Sequence, residues 1–204
     1  DSRPGEEEDD HGRIGYGRYG RYTPLALALL LILSLLLLGI FGRDAESVPM
    51  GATGKLPGRP APDVTLSLLN GGSLPLADLR GSTVVVNFWA AWCEPCRAEA
   101  PAFQALSAEA ASTGEPLMVV GVGLKAGDTD VAARAFVEDL GLTYPIGRDT
   151  GGRDPVRGPI ETAFDISPNY PTTVVIRPDG VIDSVHIGQV TEAQLRTAAD
   201  AARG

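Results

Sequence analysis

The chain has only two cysteines, Cys93 and Cys96, which are separated by two residues and directly follow an apolar run. Residues 83–88 are mainly apolar and β-branched, as expected for a strand that is buried on both faces. From Pro95 the composition changes to helix-forming residues, and proline suits a first helical turn because its missing N–H is not needed there. The pattern therefore predicts a buried strand followed by a helix, with Cys93 at the helix N-terminus.

This position gives the two sulfurs different chemistry. Unpaired N–H groups and the positive end of the helix dipole favour a thiolate at a helix N-terminus. We expect Cys93 to be the exposed attacking sulfur, and Cys96, one turn further into the helix, to be buried and to resolve the mixed disulfide. Glu94 acts in the opposite direction, because a carboxylate beside Cys93 disfavours a second negative charge. The pair is predicted to catalyse thiol–disulfide exchange, with Glu94 favouring a reducing pair.

Three other roles for a cysteine pair fit the sequence less well. A zinc site usually needs about four Cys or His ligands, but the chain has no second cysteine pair and only two histidines, His11 and His186. A purely structural disulfide would more often join distant segments, since one that closes so short a loop constrains the chain little. The proline and the Thr or Ser of the peroxiredoxin signature are Val86 and Ala90 here. No metal or other cofactor is predicted.

The 204 residues divide into a domain and an N-terminal extension of different composition. Residues 1–22 are polar and predicted to be a cytoplasmic tail, 23–42 are predicted to form a transmembrane signal-anchor helix, and 43–57 a linker. Residues 58–204 are predicted to form one compact domain. The uncharged part of the apolar segment would measure about 27 Å as a helix, enough for one crossing of a bilayer. A cleaved signal peptide is the alternative interpretation.

The distribution of charge sets the expected orientation. Arg13, Arg18 and Arg21 precede the apolar segment, whereas the arginine that follows it, Arg43, is accompanied by acidic residues. This asymmetry favours a cytoplasmic N-terminus and an extracytoplasmic domain. The net charge is −9 and there is no basic stripe, so the sequence gives no support for nucleic-acid binding.

Within the domain, strand and helix patterns alternate, which predicts an α/β fold with helices on a mixed sheet. Residues 147–159 are rich in Gly, Arg, Asp and Pro and are predicted to form a loop. Arg148, Arg153 and Arg157 in this loop are expected to be surface charges, and contact with a partner is the alternative interpretation. The remaining predicted elements are strands at 64–69, 117–122, 144–146, 170–176 and 181–187, a helical turn at 74–79, and helices at 129–140, 160–164 and 191–202.

Four stretches of the domain resemble the membrane-anchored TlpA/ResA-type thiol–disulfide oxidoreductases, which have a thioredoxin fold. The resemblance covers about residues 58–204. The matching stretches are Gly-Arg-Pro-Ala-Pro-Asp at 58–63, Leu-Arg-Gly at 79–81, Asn-Phe-Trp-Ala-Ala-Trp-Cys-Glu-Pro-Cys-Arg-Ala-Glu at 87–99, and Tyr-Pro-Thr-Thr at 170–173.

The resemblance implies roles for residues outside the cysteine pair. Pro171 is expected to be cis and to face the cysteines, so that the backbone of Tyr170 is presented to an extended substrate chain. Glu99, three residues after Cys96, is expected to assist proton transfer, although an isolated glutamate at this position is more often solvated. The implied substrate-binding residues are Trp92, Pro95, Tyr170, Pro171 and Thr172.

Two further features bear on the family pattern. Asn87 occupies the position of the buried aspartate of thioredoxin, and because asparagine cannot act as a base, proton handling falls to Glu99, Glu94 or water. Residues 117–147 correspond to the strand–helix insertion of TlpA-like proteins.

The predicted function is that of an extracytoplasmic reductase of protein disulfides, anchored in a bacterial cell membrane by a single helix. Its electrons would come from a membrane thiol-electron transporter, because cytosolic thioredoxin cannot reach the outside. The resemblance implies apocytochrome c cysteines as a substrate. An oxidant of the same fold that introduces disulfides, and a tethered peptide-binding or chaperone module, are the alternatives.

Overall fold

The structure of the protein is a computed structural model that describes residues 28–34, 56–166 and 169–204. The chain separates into two compact units, Asp1–Val48 and Pro49–Gly204. The fold that positions the cysteines belongs entirely to the second unit.

The first unit contributes one short described segment. Residues 28–34, inside the predicted transmembrane segment 23–42, are helical. The rest of that segment, the predicted tail 1–22 and nearly all of the predicted linker 43–57 lie outside the described residues. No helix within the described ranges combines the length and hydropathy needed to cross a membrane.

The second unit contains a seven-stranded sheet with the order β2-β1-β5-β4-β3-β6-β7. The strands are β1 (Thr65–Leu68), β2 (Ser73–Pro75), β3 (Thr83–Trp89), β4 (Leu117–Gly123), β5 (Ile146–Arg148), β6 (Thr172–Ile176) and β7 (Ile182–Ile187). β3 runs parallel to β4 and antiparallel to β6, so both of its edges are paired. The predicted mixed sheet is confirmed.

Helices cover both faces of this sheet. They are α1 (Glu94–Thr113), α2 (Asp130–Asp139), α3 (Pro159–Ala163) and α4 (Glu192–Arg203), together with a 3₁₀ turn at Leu76–Leu79. Buried side chains of α1, α2 and α4 share one apolar cluster, whereas those of α3 and the 3₁₀ turn belong to another. The predicted helix positions are confirmed to within a few residues, including Thr191 as the N-cap of α4.

The two clusters explain why the sequence of β3 is apolar almost without interruption. Successive side chains of a strand point to opposite faces of a sheet. Val85 and Trp89 accordingly belong to the cluster under α1, where the Trp89 ring stacks on Phe136 with centroids 4.3 Å apart. Val86 and Phe88 belong to the cluster on the other face. The strand is thus buried on both sides, as predicted.

The predicted helical turn at residues 74–79 is only partly correct. Ser73–Pro75 form β2, which pairs with β1 in an antiparallel hairpin, and only Leu76–Leu79 are helical. Gly71 and Gly72 close the hairpin with φ angles of +93° and +84°, which a residue with a side chain rarely adopts.

β5 lies two residues later than predicted, and the loop after it is correspondingly shorter. Gly147 pairs with Leu68 of β1. A Cβ atom at Gly147 would lie 2.9 Å from the Cβ of Leu66. A glycine therefore allows the close approach of β5 to β1 here, although glycine and arginine in sequence are more typical of a loop.

Candidate active site

The two cysteines form a disulfide where β3 ends and α1 begins. Cys93 is the N-cap residue of α1, and its Sγ accepts a hydrogen bond of 3.2 Å from the backbone N–H of Cys96. Pro95 lies in the first helical turn, as predicted. The position of the pair at a helix N-terminus is confirmed, and N–H groups at such an end stabilise a thiolate.

The burial of Cys93 differs from the prediction of an exposed sulfur. Cys93 is only 4% exposed and Cys96 1%. In this disulfide form, the Sγ of Cys93 is bonded to that of Cys96 and faces the backbone N–H of Cys96, so it is turned back onto the first turn of α1 instead of outwards. Glu94 is exposed, so water screens its charge and weakens its predicted effect on the pair.

Glu99 is buried on α1, one turn beyond Cys96. Its Oε1 accepts a 2.8 Å hydrogen bond from the Asn87 side chain of β3, and its Oε2 accepts a 3.0 Å bond from the backbone N–H of Val190. Burial raises the pKa of Glu99 to about 7, although both hydrogen bonds act to lower it. A carboxyl group with this pKa can accept and release protons near neutral pH.

The proline loop directly precedes β6, whose Thr172 pairs with Phe88 of β3, the strand that leads to the cysteines. The Tyr170–Pro171 peptide bond is cis, as predicted, and Thr172 begins β6 directly after it. The half-buried Tyr170 packs against the apolar cluster that contains both cysteines. Its ring lies edge-to-face against Trp92, with centroids 6.2 Å apart. The fold therefore brings together Trp92 and Tyr170, two of the predicted substrate-binding residues.

The turn after β4 holds the loop that carries the cysteines. The indole N–H of Trp92 donates to the carbonyl of Ala126 at 2.9 Å. The backbone N–H of Ala91 donates to Oδ2 of Asp128 at 3.0 Å. The same oxygen lies 3.1 Å from the guanidinium of Arg148, and both charged side chains are buried. The buried ion pair of Asp128 with Arg148 thus fixes the oxygen that accepts a hydrogen bond from Ala91, two residues before Cys93.

Two of the three arginines predicted to be surface charges are not surface charges. Arg148 is buried and bonded to both Asp128 and Asp130, and Arg157 is half-buried and donates to main-chain carbonyls. Only Arg153 is exposed. The difference arises because the partners come from other segments of the chain, which the composition of the loop does not reveal.

Sequence reasoning missed two acidic residues near the site, Asp128 and Glu161. Asp128 directly precedes Thr129, the N-cap of α2. The sequence pattern around it therefore indicates the start of a helix and not a contact with the cysteine loop. Glu161 is fully buried and accepts a hydrogen bond from the Tyr170 hydroxyl, a contact that no local pattern indicates. Among the described residues, no group of three or more His, Cys, Asp or Glu side chains is arranged to hold a metal ion.

Sequence comparisons agree with this geometry. The profile of the AhpC/TSA family matches residues 57–185. The thioredoxin-like protein YneN of Bacillus subtilis is 33% identical over 171 residues, which cover 83% of this chain and 94% of YneN. The thiol-disulfide oxidoreductase ResA of Bacillus subtilis is 33% identical over 138 residues, which cover 68% of this chain and 71% of ResA.

Solved structures show the same similarity. A thiol:disulfide interchange protein of the thioredoxin family from Chlorobium tepidum has a TM-score of 0.61 and 26% identity, covering 74% of this chain and 100% of its own. A secreted Mycobacterium tuberculosis disulfide oxidoreductase homologous to Escherichia coli DsbE has a TM-score of 0.58 and 25% identity, covering 68% of this chain and 96% of its own.

The fold, the cysteine pair and these similarities together define a thiol–disulfide oxidoreductase with a thioredoxin-like fold. The chain belongs to the AhpC/TSA family. Its relatives by sequence include the ResA proteins.

The raised pKa of Glu99 predicts a pH-dependent stability. Its pKa is 4.5 in the unfolded chain and about 7 in the fold. The contribution of Glu99 to the free energy of unfolding is therefore fully present below the unfolded pKa. This contribution is lost as the pH rises through the folded pKa, by about 3 kcal/mol in total. The Glu99→Gln variant lacks this loss. Relative to the wild type, its free energy of unfolding should gain about 3 kcal/mol between about pH 4 and pH 8.

Urea denaturation at a series of pH values measures this difference. Glu138→Gln, which replaces an exposed carboxylate on α2, is the control and should follow the wild-type profile. Parallel profiles for the wild type and Glu99→Gln would show that the carboxyl of Glu99 has no raised pKa.

The buried ion pair predicts unequal costs for removing two aspartates. Asp128→Ala leaves Arg148 without its buried partner and should lower the free energy of unfolding by about 3 kcal/mol. Asp139→Ala, the control, removes the exposed partner of Arg97 and should cost less than about 1 kcal/mol. Denaturant unfolding of both variants measures the difference, and equal costs would contradict the buried pairing.

Proposed function

We propose that the protein is a membrane-anchored, extracytoplasmic reductase of protein disulfides. The observation that carries the proposal is the Cys93–Cys96 disulfide at the N-terminus of α1, with the buried carboxyl of Glu99 one turn further along the same helix. A nucleophilic sulfur, a resolving sulfur and a proton acceptor are the groups that a dithiol reductase needs.

The reaction starts from the reduced dithiol. The Cys93 thiolate, stabilised at the helix N-terminus, attacks one sulfur of a substrate disulfide and forms a mixed disulfide, and the other substrate sulfur leaves as a thiolate. Cys96 then loses its proton and attacks the Cys93 sulfur. The second substrate sulfur leaves, so the substrate gains two electrons and the Cys93–Cys96 disulfide forms.

Glu99 takes the proton that Cys96 must lose in the second step. Its pKa of about 7 makes its carboxylate a base that is available near neutral pH and strong enough to assist a thiol. Asn87, which replaces the buried aspartate of thioredoxin, cannot accept a proton, but its amide holds the Glu99 carboxylate at 2.8 Å. Asn87 thus orients the base from β3, while Cys96 and Glu99 are held on α1.

The substrate chain lies against the proline loop. An extended peptide pairs with the backbone of Tyr170 as an added strand, beside the exposed Trp92 and Pro95. The predicted substrate-binding residues Pro171 and Thr172 are buried, and they support this backbone from beneath. Trp92 is 56% exposed, which leaves most of its ring available for a substrate. The contact between Trp92 and Tyr170 supports this placement.

The proposed cellular setting is supported by the pattern of the sequence and by its resemblance to TlpA and ResA proteins. Residues 23–42 anchor the protein in a bacterial cell membrane with the domain outside, and residues 117–147 are the TlpA-type insertion. A membrane thiol-electron transporter returns electrons to the disulfide. Apocytochrome c cysteines are the proposed substrate, on the strength of the resemblance to TlpA and ResA proteins.

Single-cysteine variants of the full-length protein test this mechanism. With insulin as a disulfide substrate, Cys96→Ser should accumulate a mixed disulfide through Cys93, because the resolving thiol is missing. Mass spectrometry detects the adduct, and dithiothreitol should release it. Cys93→Ser is the matched control, and it should form no adduct and lose reductase activity to the uncatalysed background.

An intact cellular phenotype of Cys93→Ser would contradict the mechanism and support a binding module. Net oxidation of a substrate dithiol by the wild type, without reduction of insulin, would instead support the disulfide-introducing alternative.

A further inference from the structure

The loop between β5 and α3, residues 149–158, is attached to the same turn that holds Trp92. Lys125 donates from Nζ to the carbonyl of Asp154 at 2.8 Å, and the neighbouring Ala126 carbonyl accepts the indole N–H of Trp92. The loop, which carries no predicted role, therefore lies next to the cysteine loop in space.

Arg157 attaches the end of this loop to α3. Its guanidinium donates to the carbonyl of Ile166 at 2.6 Å and to that of Glu161 at 3.3 Å. Its Nε also lies 3.9 Å from Oε1 of Glu161, whose side chain is fully buried. The carboxylate of Asp149 accepts a hydrogen bond of 2.6 Å from the backbone N–H of Glu161, and this bond fixes the start of α3. Glu161 is thus a buried anion held by its backbone and by one cation.

The side chain of Glu161 reaches the proline loop. Its Oε1 accepts a hydrogen bond from the hydroxyl of Tyr170. Burial and the Glu161 carboxylate both raise the pKa of Tyr170, so its hydroxyl stays a donor across the neutral range. The Tyr170 ring also lies edge-to-face against Trp92. The ring is consequently held at its hydroxyl by α3 and contacts the tryptophan next to Cys93.

We propose that Glu161, paired with Arg157, is a positioning residue that fixes the Tyr170 ring against Trp92, and that the two rings form a wall contacting an apolar side chain beside the substrate disulfide. This inference rests on the proposed reduction of protein disulfides. Small disulfides, which lack a flanking chain, do not use the wall. The pair therefore favours peptide over small-molecule substrates without changing the chemistry at Cys93.

Saturation kinetics separate this role from a structural one. The reduced full-length protein is mixed with a disulfide peptide that carries a leucine beside its cysteine, and separately with oxidised glutathione. Tyr170→Phe and Glu161→Leu should each raise the half-saturating peptide concentration about five-fold, because each removes the hydrogen bond that fixes the ring. For Glu161→Leu, the limiting rate with peptide and the rate with oxidised glutathione should stay within about two-fold of the wild type.

Three further variants sharpen the test. The double variant Tyr170→Phe/Glu161→Leu should be no worse than either single variant, because both remove one interaction. Glu161→Gln keeps an acceptor for the hydroxyl and should restore most of the peptide affinity. Glu192→Leu makes the same change at a first-turn carboxylate of α4 and should behave as the wild type.

The outcomes distinguish this inference from the proposed function. If the wild type reduces the peptide and Tyr170→Phe has the same half-saturation, the positioning role is wrong while the proposed function stands. Equal slowing with peptide and with oxidised glutathione would also overturn it, since that is the result of a general structural defect. If the wild type does not reduce the peptide, the proposed function fails and the inference fails with it.

Discussion

The active site depends on a strand that is buried on both faces and that ends at the first turn of a helix. Packing on two sides leaves β3 little freedom, because its alternate side chains are held by separate apolar clusters. The chain leaves the strand at Trp89 and enters α1 at Glu94. Cys93 therefore lies at the N-cap of α1, where a thiolate is stabilised, and it is held there by the core of the whole domain.

The same core supplies the proton chemistry. Glu99 joins three elements, since α1 carries it, β3 contributes Asn87, and Val190 approaches just before α4. Its burial raises its pKa and makes its ionised form unfavourable in the fold. The buried carboxyl group of Glu99 thus has two consequences. It supplies a base for Cys96, and it lowers the stability of the fold at high pH. Such a conflict between stability and reactivity is typical of functional sites.

The parts of the structure that local pattern controls could be predicted from the sequence. The apolar run of β3, the proline in the first turn of α1 and the threonine cap of α4 each reflect a short-range rule. The burial of Arg148 could not be predicted, because its partners Asp128 and Asp130 lie about twenty residues earlier and only the tertiary fold brings them together. Glu161 escaped notice for the same reason, and the turned-in sulfur of Cys93 depends on a hydrogen bond that spacing alone does not show.

The reduction potential of the Cys93–Cys96 pair tests the central claim most directly. The full-length protein is equilibrated with dithiothreitol or glutathione mixtures at pH 7, and the fraction of disulfide is measured at each ratio. The account predicts a value near or below about −270 mV, as in thioredoxin, since a reductase must give electrons to its substrates. A value near about −120 mV, as in a strong oxidant such as DsbA, would contradict it and identify a donor of disulfides.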